Sequence, residues 1–329
     1  MPGMTVRWGI LATGTIAARF TEDLRLVPDA EVVAVGSRTA VAAQAFAERY
    51  GVPRAHGSWA DLATDPDVDV VYVATVHPAH YRAALTCIEA GKAVLVEKPL
   101  TLDVPTAERL LAAARARGVF AMEAMWTRCL PAIRRVAGLI ADGAIGEVAT
   151  VHAEFGLAGP FEPTHRLRDP AQGGGALLDL GIYPVALANL VLGPPTTIQA
   201  TARLTAEGVD AHTGLLLGHP SGAIAALTCG ITGATRNAAS ITGSDGRIDL
   251  PGPFHCPKRF TLHRRGADPA EIHAPFEGWG YHLEAAEVGR CLRAGLVESP
   301  LVPHAATLEV LAVLDAARAQ LGVSYPDAG

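Results

Sequence analysis

The spacing of apolar residues follows one pattern over the first part of the chain. From residue 5 to about 124, apolar runs of four to seven residues alternate with alanine-rich stretches of helical spacing. This alternation of strand and helix predicts a doubly wound parallel sheet. The predicted strands are Val6 to Leu11, Val32 to Val35, Val68 to Ala74, Ala93 to Val96 and Val119 to Met122, and the clearest helices are 41–50 and 106–117.

The pattern changes after residue 124. A helix over 131–141 and a strand over 146–155 are followed by a loop rich in glycine and proline, which leads to a helix carrying Asp179 and Tyr183. From residue 196 to about 272, short apolar runs are separated by turn sequences, a pattern that predicts a mostly antiparallel open sheet.

The length of the chain allows more than one domain. It has 329 residues, half of them apolar, and two helices, 281–294 and 304–321, close it. We predict an α/β protein with a first domain over 1–124 and a second α/β domain over 125–329.

Charge and cysteine usage argue against several classes of protein. The net charge of -6 argues against a nucleic-acid surface, which needs a clustered basic face. The cysteines are scattered and include no C-x-x-C pair, so we expect no metal site, no disulfide framework and a reducing compartment. They are Cys87, Cys129, Cys229, Cys256 and Cys291.

The ends of the chain and its apolar segments bear on location. The N-terminus lacks the features of a secretory signal, and the most apolar segment, 176–192, is interrupted by Asp179 and Pro184. We therefore expect a cytoplasmic protein with no membrane segment.

A glycine-containing turn directly follows the first predicted strand. Such a turn lets the backbone approach a pyrophosphate and directs the N-terminus of the next helix at its charge. The match to G-x-G-x-x-G is incomplete because Ala12 and Ala17 replace two glycines, and a tight turn without a ligand is the alternative. The candidate cofactor-binding residues here are Ala12, Thr13, Gly14, Thr15 and Ile16.

The end of the second strand indicates which dinucleotide binds. NAD-preferring proteins usually carry an acidic residue there, whereas this chain has Ser37 and Arg38. A guanidinium and a hydroxyl suit a 2′-phosphate, so we predict NADP in preference to NAD. The alternative is a solvated arginine at the start of a helix.

Lys98 is the first candidate for catalysis. It follows a buried strand within Glu97-Lys98-Pro99, and the carboxyl edge of such a strand is where open α/β sheets bind ligands. Asp179 and Tyr183 are four residues apart, so on a helix they share one face. A tyrosine, whose ordinary pKa is roughly 10, needs a nearby ammonium to act as a base near neutrality. Taken singly, each of the three also has a structural explanation.

Several further side chains are candidates for cofactor or substrate contacts. His77 and His80 have no carboxylate or thiolate companion, so we expect no metal there; His80 faces the cofactor or caps a helix. Trp126, Phe155 and Trp279 are either core residues or walls of a substrate pocket.

Four segments together resemble the glucose-fructose oxidoreductase/inositol dehydrogenase (Gfo/Idh/MocA) family over essentially the whole chain. They are Trp8 to Ala17, Ala74 to His80, Val94 to Leu100 and Gly173 to Pro184. Within the family, Met122 to Arg128, and Asp179 with Tyr183, resemble the branch of dimeric dihydrodiol dehydrogenase and NADP-dependent D-xylose 1-dehydrogenase.

The resemblance implies an N-terminal Rossmann domain and a C-terminal substrate domain. The open sheet of the second domain is then expected to form the interface of a homodimer or a higher homo-oligomer. The resemblance also implies that Lys98 and Tyr183 are catalytic with Asp179, that the Lys98–Pro99 bond is cis, and that Trp126 and Phe155 lie beside the nicotinamide and substrate. Thr75, His77, His80 and Glu97 complete the cofactor-binding set, and Trp279 the substrate-binding set.

The function we expect is NADP-dependent hydride transfer between nicotinamide and a hydroxyl of a sugar or cyclic diol. D-xylose and trans-dihydrodiols are the leading substrates; inositols and keto-sugars are alternatives. Redox-neutral chemistry on a retained NAD is disfavoured by Ser37 and Arg38, and a non-catalytic NADP sensor is disfavoured because Lys98, Asp179 and Tyr183 are all present.

Overall fold

A six-stranded parallel sheet forms from the apolar runs of the first part of the chain. Its spatial order is β3-β2-β1-β4-β5-β6, so the strand order reverses beside β1. The strands are β1 (Val6–Leu11), β2 (Ala30–Gly36), β3 (Arg54–His56), β4 (Val70–Val73), β5 (Ala93–Glu97) and β6 (Ala121–Ala124). The helices between them are α1 (Thr15–Leu24), α2 (Ala40–Tyr50), α3 (Trp59–Ala63), α4 (His80–Glu89) and α5 (Val104–Arg117). This doubly wound sheet is the predicted one, and its reversal beside β1 is where such folds bind ligands.

Strand β3 is the element of this sheet that the sequence pattern missed. It has three residues, Arg54–His56, all only partly buried at the edge of the sheet. A strand this short, with a charged residue and a histidine around one alanine, has no apolar run to detect.

A second sheet has eight strands in the order β14-β13-β12-β11-β7-β10-β9-β8. Neighbouring strands are antiparallel except for the parallel pair β7 and β10, which agrees with the prediction of a mostly antiparallel sheet. The strands are β7 (Val148–Gly156), β8 (Thr197–Leu204), β9 (Asp210–Gly218), β10 (Ile224–Gly230), β11 (Ala239–Gly243), β12 (Gly246–Leu250), β13 (Arg259–Arg264) and β14 (Ala270–His273). The later helices are α6 (Pro131–Ala141), α7 (Ile182–Leu192), α8 (Tyr281–Arg293) and α9 (His304–Leu321).

The two faces of this second sheet differ in burial because side chains alternate along each strand. One row of paired residues, from Leu217 through Ala225, Val151 and Ile241 to Ile248, is buried, and α7 packs on that face against β7 and β10. The neighbouring row of paired residues is exposed or half-buried: Gln199, Leu216, Ala226, His152, Ser240 and Asp249. The sheet is therefore covered by its own helix on one side and open on the other.

The computed structural model describes residues 5–326, which divide into two compact units. The first contains the parallel sheet and runs to Cys129, with residues 277–307 added; the second contains residues 130–276 and the chain from Leu308 onward. The sequence-based boundary at 124 instead assigns 277–307 to the second domain. The return segment joins the first unit because the Asp23 carboxylate on α1 accepts hydrogen bonds from the backbone N–H groups of Trp279, Gly280 and Tyr281.

Within residues 5–326, the segment Pro170–Leu192 contains an 18-residue window with a mean hydropathy of 1.7. The segment is long and apolar enough to span a bilayer, yet 78% of that window is buried within the fold, as is usual for a core helix. The first four residues, part of the segment in which we expected no secretory signal, lie outside the described residues.

Candidate active site

The turn between β1 and α1 has the geometry of a phosphate-binding turn. Ala12 has a φ of 109°, a conformation that favours glycine, and its N–H donates to the carbonyl oxygen of Gly36 at 2.9 Å. Gly14 precedes α1 in extended backbone, and no side chain caps the helix. Gly14 and Thr15 are exposed. The first N–H groups of α1 therefore face solvent with no side-chain acceptor, and they fit a pyrophosphate.

Of the residues after β2, Thr39 contacts the helix that follows and Arg38 faces the solvent. Thr39 caps α2 by accepting a hydrogen bond from the N–H of Ala42 at 3.3 Å. Ser37 donates its N–H to the carbonyl oxygen of His56 at 3.1 Å, which fixes the backbone here. Arg38 is exposed and makes no ion pair with any residue from 5 to 326. Its guanidinium is thus available for an anionic group of the cofactor.

Glu97 ties the Lys98 turn to the neighbouring strand. Its Oε2 accepts a hydrogen bond from the backbone N–H of Lys98 at 3.2 Å, and its Oε1 accepts one from the hydroxyl of Tyr72 on β4. Burial and the adjacent Glu97 charge raise the pKa of Tyr72 well above its usual value, so Tyr72 acts as a donor. The Lys98–Pro99 peptide bond is cis, which confirms that prediction.

Two buried acids that the sequence did not indicate lie in the same unit. Glu123 on β6 accepts hydrogen bonds from the N–H of Leu100 and the hydroxyl of Thr307, each at 3.0 Å, and so fixes the chain just after Pro99. Glu284 on α8 is fully buried, and its carboxyl oxygens find no hydrogen-bond partner among residues 5–326. Burial, and then the charge of Glu97, raise the pKa of Glu284 well above its usual value. Neither glutamate belongs to a local sequence pattern, and the partners of Glu123, which are Leu100 and Thr307, are distant from it in sequence.

His80 joins the loop after β4 to the loop after β5. Its Nδ1 faces the carbonyl oxygen of Pro99 at 2.8 Å, and its Nε2 faces that of Thr75 at 3.0 Å. A neutral imidazole carries one N–H, so it donates to one of these carbonyls at a time. Burial lowers the pKa of His80 and favours that neutral form.

These contacts differ from both roles that we expected for His80. The side chain has no exposed surface and bonds carbonyl oxygens, whereas a helix cap would bind N–H groups. The geometry instead indicates that His80 positions two loops, one at Thr75 and one at Pro99. His77 packs edge-on against it, with 5.7 Å between ring centroids. The buried hydroxyl of Thr75 has no hydrogen-bond partner in the described chain, which suits a contact with a bound group.

Trp126 lies against an aromatic residue that the sequence analysis did not identify. It begins a short 3₁₀ turn, Trp126–Cys129, and its ring centroid is 4.7 Å from that of Tyr281, the first residue of α8. Trp279 is half-exposed, and the guanidinium of Arg19 lies 4.3 Å from its ring centroid. The Asp23 carboxylate binds the backbone of 279–281, so it fixes the backbone positions from which the rings of Trp279 and Tyr281 project.

In the second unit, Asp179 and Tyr183 lie on one continuous helical segment with a change of geometry between them. Residues Leu177–Gly181 form a π-helical turn, and α7 follows directly. An α-helix would bond the N–H of residue 184 to the carbonyl of residue 180, but Pro184 has no N–H. The wider turn accommodates this gap, and such turns are frequent at functional sites.

Asp179 is held by a residue from the preceding loop. Nη2 of Arg166 donates to Oδ2 of Asp179 at 3.0 Å, and the arginine side chain is half-exposed whereas the aspartate is buried. Arg168 holds the same loop by a bidentate pair with Glu207, at 2.8 and 3.1 Å, and by a hydrogen bond to the carbonyl of Phe161. Nothing in the local sequence pairs Arg166 with Asp179.

Tyr183 is part of an aromatic cluster. Its ring centroid lies 5.6 Å from Phe155 on β7 and 5.1 Å from His255. His255 stacks on Phe155 at 4.5 Å with an interplanar angle of 16°. The structure thus brings together Phe155 and Tyr183, both candidates from the sequence, and adds His255, which lies in a loop without a recognisable pattern.

The glycines 173–175 permit close approach of the backbone just before Asp179. A Cβ at Gly174 would lie 2.7 Å from the carbonyl oxygen of Arg166, and one at Gly175 would lie 2.3 Å from Oδ1 of Asp210. Gly175 also has a φ of 108°. Both positions therefore exclude side chains, which explains the glycine run.

The predicted site residues are divided between the two units. The cofactor turn, Lys98 and Trp126 belong to the first, and Phe155, Asp179 and Tyr183 belong to the second. The pairing of Lys98 with Tyr183 stays a prediction. Among residues 5–326, no group of three or more histidine, cysteine or acidic side chains is arranged to hold a metal ion.

Comparison with known proteins places the chain in a family. A model described as "Oxidoreductase family, NAD-binding Rossmann fold" matches residues 6–125, and one described as "GFO/IDH/MocA C-terminal domain" matches residues 133–249. The chain therefore belongs to the Gfo/Idh/MocA oxidoreductase family, as its sequence segments indicated, and is an NAD(P)-binding oxidoreductase.

Several similar proteins are named as dehydrogenases or reductases. The trans-1,2-dihydrobenzene-1,2-diol dehydrogenases of Bos taurus and Homo sapiens are each 38% identical over 98% of this chain and 99% of their own length. A 3-ketoreductase from Actinomadura kijaniata, solved with NADP and TDP-benzene, is 31% identical with a TM-score of 0.85, over 95% of this chain and 97% of that one. An aldose-aldose oxidoreductase from Caulobacter crescentus has a TM-score of 0.88 at 24% identity, covering 97% and 98% of the two chains, and shares the fold.

Proposed function

We propose that the protein is an NADP-dependent dehydrogenase that moves a hydride between a hydroxyl-bearing carbon of a sugar or cyclic diol and nicotinamide. The single observation that carries the proposal is the chemistry of the first unit. There an uncapped helix N-terminus at Gly14, an exposed Arg38 and a lysine anchored by Glu97 occupy one edge of a parallel sheet. These groups suit a pyrophosphate, a 2′-phosphate and a reacting oxygen in turn.

In the proposed mechanism, each catalytic side chain handles a proton or a hydroxyl. NADP would be held by the turn at Gly14 and by Arg38, and it would supply the hydride acceptor. Tyr183 takes the proton of the reacting hydroxyl, and the ammonium of Lys98 favours the phenolate that does so. Asp179, paired with Arg166, accepts a hydrogen bond from a second substrate hydroxyl. The reverse direction reduces a carbonyl with the same groups.

Relatives suggest the substrates to test first. The dihydrobenzene-diol dehydrogenases named above are similar over nearly the whole chain. Asp179 with Tyr183 also resembles the branch of the family that includes NADP-dependent D-xylose 1-dehydrogenase. Phe155 and His255 supply flat surfaces for a ring-shaped substrate beside Tyr183. We therefore propose trans-dihydrodiols and D-xylose as the leading candidates.

We also propose that the protein is a cytoplasmic homodimer that pairs through the open face of its second sheet. Leu216 and Ile224 are each 46% exposed on that face, a large apolar exposure for a sheet surface without a partner. All five cysteines are free thiols, which suits a reducing compartment.

A substrate panel tests the proposed function. NADPH formation is measured with D-xylose, D-glucose, inositols and trans-dihydrodiols, with NAD in parallel. Turnover of a sugar or diol with NADP is the expected result. Tight NADP binding without turnover of any panel member would contradict the proposal and favour a sensor.

A further inference from the structure

Asp210, at the start of β9, is a buried acid that contacts the helical segment carrying Asp179 and Tyr183. Its Oδ2 accepts two hydrogen bonds of 2.7 Å, one from the N–H of Leu177 and one from the hydroxyl of Thr213. Leu177 is the first residue of the π-helical turn that contains Asp179 and leads to Tyr183. Asp210 is 1% exposed, so this contact is shielded from solvent.

The backbone before the turn is built around this carboxylate. Oδ1 of Asp210 has no hydrogen-bond partner among residues 5–326 and faces Gly175, where any Cβ would collide with it. The hydroxyl of Tyr325 donates to the carbonyl of Gly174 at 2.6 Å and closes the other side. The glycine run and the C-terminal segment thus shape a site for one acidic side chain at the start of the turn.

We propose that Asp210 is a positioning residue: its carboxylate fixes the turn that presents Asp179 and Tyr183, and the contact weakens when the carboxylate takes up a proton. The inference rests on the proposed function, because it takes Tyr183 as the group that receives the substrate proton. A carboxylate at the first N–H of a helical segment accepts a charge-assisted bond and complements the helix dipole. Asp210 therefore acts through the backbone of Leu177 and does not touch the substrate.

The charge state of Asp210 changes within an accessible pH range. Burial raises the pKa of Asp210 to about 6 from 3.8, although the bonds from Thr213 and Leu177 oppose the rise. The ionisable groups that face it from other elements are the thiol of Cys229 on β10 and the phenol of Tyr325; Arg318 and Asp179 surround that phenol. Burial raises the pKa of both Cys229 and Tyr325, so neither titrates near pH 6.

Two opposite pH trends follow from this assignment. A raised pKa contributes stability that is full below pH 3.8 and is lost as the pH rises through about 6. The bond from Leu177 to the ionised carboxylate is instead strongest above that pH. Catalysis should therefore improve over the same interval in which this group's contribution to stability declines.

Asp210→Asn tests the proposal, because the amide oxygen accepts the same bonds but cannot ionise. We expect kcat above neutrality to fall by about three- to tenfold, the inflection of kcat near pH 6 to disappear, and KM for NADP to stay constant. The pH dependence of thermal unfolding between 3.8 and about 6 should also flatten. Glu287→Gln is the control, since Glu287 is also buried and accepts a hydroxyl bond, from Ser299, in the other unit; its kcat profile should match that of the wild type.

A second variant keeps the test decisive. Thr213→Val removes one hydrogen-bond donor from Oδ2 of Asp210 and leaves the charge of the carboxylate. The pKa of Asp210 should then rise, so the kcat inflection should move to higher pH. If Asp210→Asn does not fold, Thr213→Val alone tests the proposal. A folded Asp210→Asn with the wild-type kcat profile would overturn the proposal, as would an unmoved inflection in Thr213→Val. The unfolding measurement needs no substrate. If the wild type turns over no substrate, the proposed function fails, and an unchanged unfolding profile in Asp210→Asn would separately overturn the role of Asp210.

Discussion

Arg38 carries a full charge at the end of β2 and has no acidic partner among residues 5–326. A 2′-phosphate would give that guanidinium its counter-ion, whereas the ribose hydroxyls of NAD would not. We therefore expect the choice between the two cofactors to depend mainly on the side chain of Arg38.

Replacing Arg38 should change cofactor preference. We expect Arg38→Asp to weaken NADP binding by roughly 10- to 100-fold, because charge-assisted hydrogen bonds are lost and repulsion is added. NAD affinity should change far less. Direct titration of both cofactors measures the difference, with the exposed Arg117→Asp at the end of α5 as the control. Equal losses for NADP and NAD would refute the assignment of Arg38.

Arg166 and Arg168 form a matched pair on one loop. Both bind an acid, but only Arg166 binds Asp179. We expect Arg166→Gln to lower kcat/KM by about three- to tenfold, a modest loss because the guanidinium is half-exposed and screened by solvent.

The control for this prediction is Arg168→Gln, which disturbs the same loop but leaves the partner of Asp179 in place. Its main effect should be on thermal stability, with kcat/KM close to that of the wild type. If steady-state kinetics showed the larger loss in Arg168→Gln, the effect would belong to the loop as a whole and not to Asp179.

Among the secondary-structure elements, the turn that precedes Asp179 is closely restricted by its surroundings. Gly175 combines a positive φ with a Cβ position only 2.3 Å from a carboxylate oxygen. Gly143, just after α6, also has a positive φ, of 73°, but open space around its Cβ position. Comparing substitutions at the two glycines therefore separates two effects: both positions have a positive φ, but only Gly175 adds a steric collision at its Cβ position.

Alanine at these two positions should have unequal effects. Gly175→Ala should lower the free energy of unfolding by about 3 kcal/mol, the sum of left-handed strain and overpacking. Gly143→Ala should cost only about 1 kcal/mol. Chemical denaturation measures both, and equal costs would show that the contact between Gly175 and Asp210 is relaxed in solution.

Elements with strong local patterns could be predicted from the sequence. The predicted bounds of β1, α6 and α9 coincide with the observed ones, because apolar spacing, Pro131 at a helix start and turn residues are all local signals. The π-helical turn could not be predicted in this way. Pro184, which lacks the N–H of an α-helical hydrogen bond, also fits an ordinary first-turn proline of a helix.

The site residues likewise fall into those that a local sequence pattern indicates and those that it does not. Lys98, Asp179 and Tyr183 stand in segments typical of the family and could be named from the sequence. The residues that contact these segments from elsewhere could not, because each reaches its contact through the fold and not through neighbouring residues; they are Glu123, Arg166, His255 and Asp210. Such contacts join residues far apart in the sequence, so they become visible only in the folded structure.

For the whole molecule, the open face of the second sheet has consequences for assembly. Leu216 pairs with Ala226, and Ile224 lies two residues from Ala226 on the same face, so the exposed apolar side chains form one patch. Burying such a patch against a second copy would remove apolar surface from water, which favours a dimer.

Charges placed in this patch should prevent assembly. We expect the wild type to be a dimer, and Leu216→Asp combined with Ile224→Asp to give a folded monomer, as measured by sedimentation equilibrium. Val41→Asp, on an 82% exposed position of α2, should leave the assembly unchanged. A monomeric wild type, or a double variant that stays dimeric, would show that this face is not the interface.

The most direct test of the proposed mechanism separates cofactor binding from hydride transfer. NADP affinity and NADPH formation are measured for the wild type, Lys98→Ala and Tyr183→Phe, with Lys258→Ala as a control lysine far along the chain. Acid–base catalysis of this kind contributes about 10²- to 10⁴-fold, so we expect both catalytic variants to lose turnover by at least about 100-fold while they still bind NADP. Turnover near the wild-type rate in either variant would contradict the assignment of Lys98 and Tyr183 as the catalytic pair.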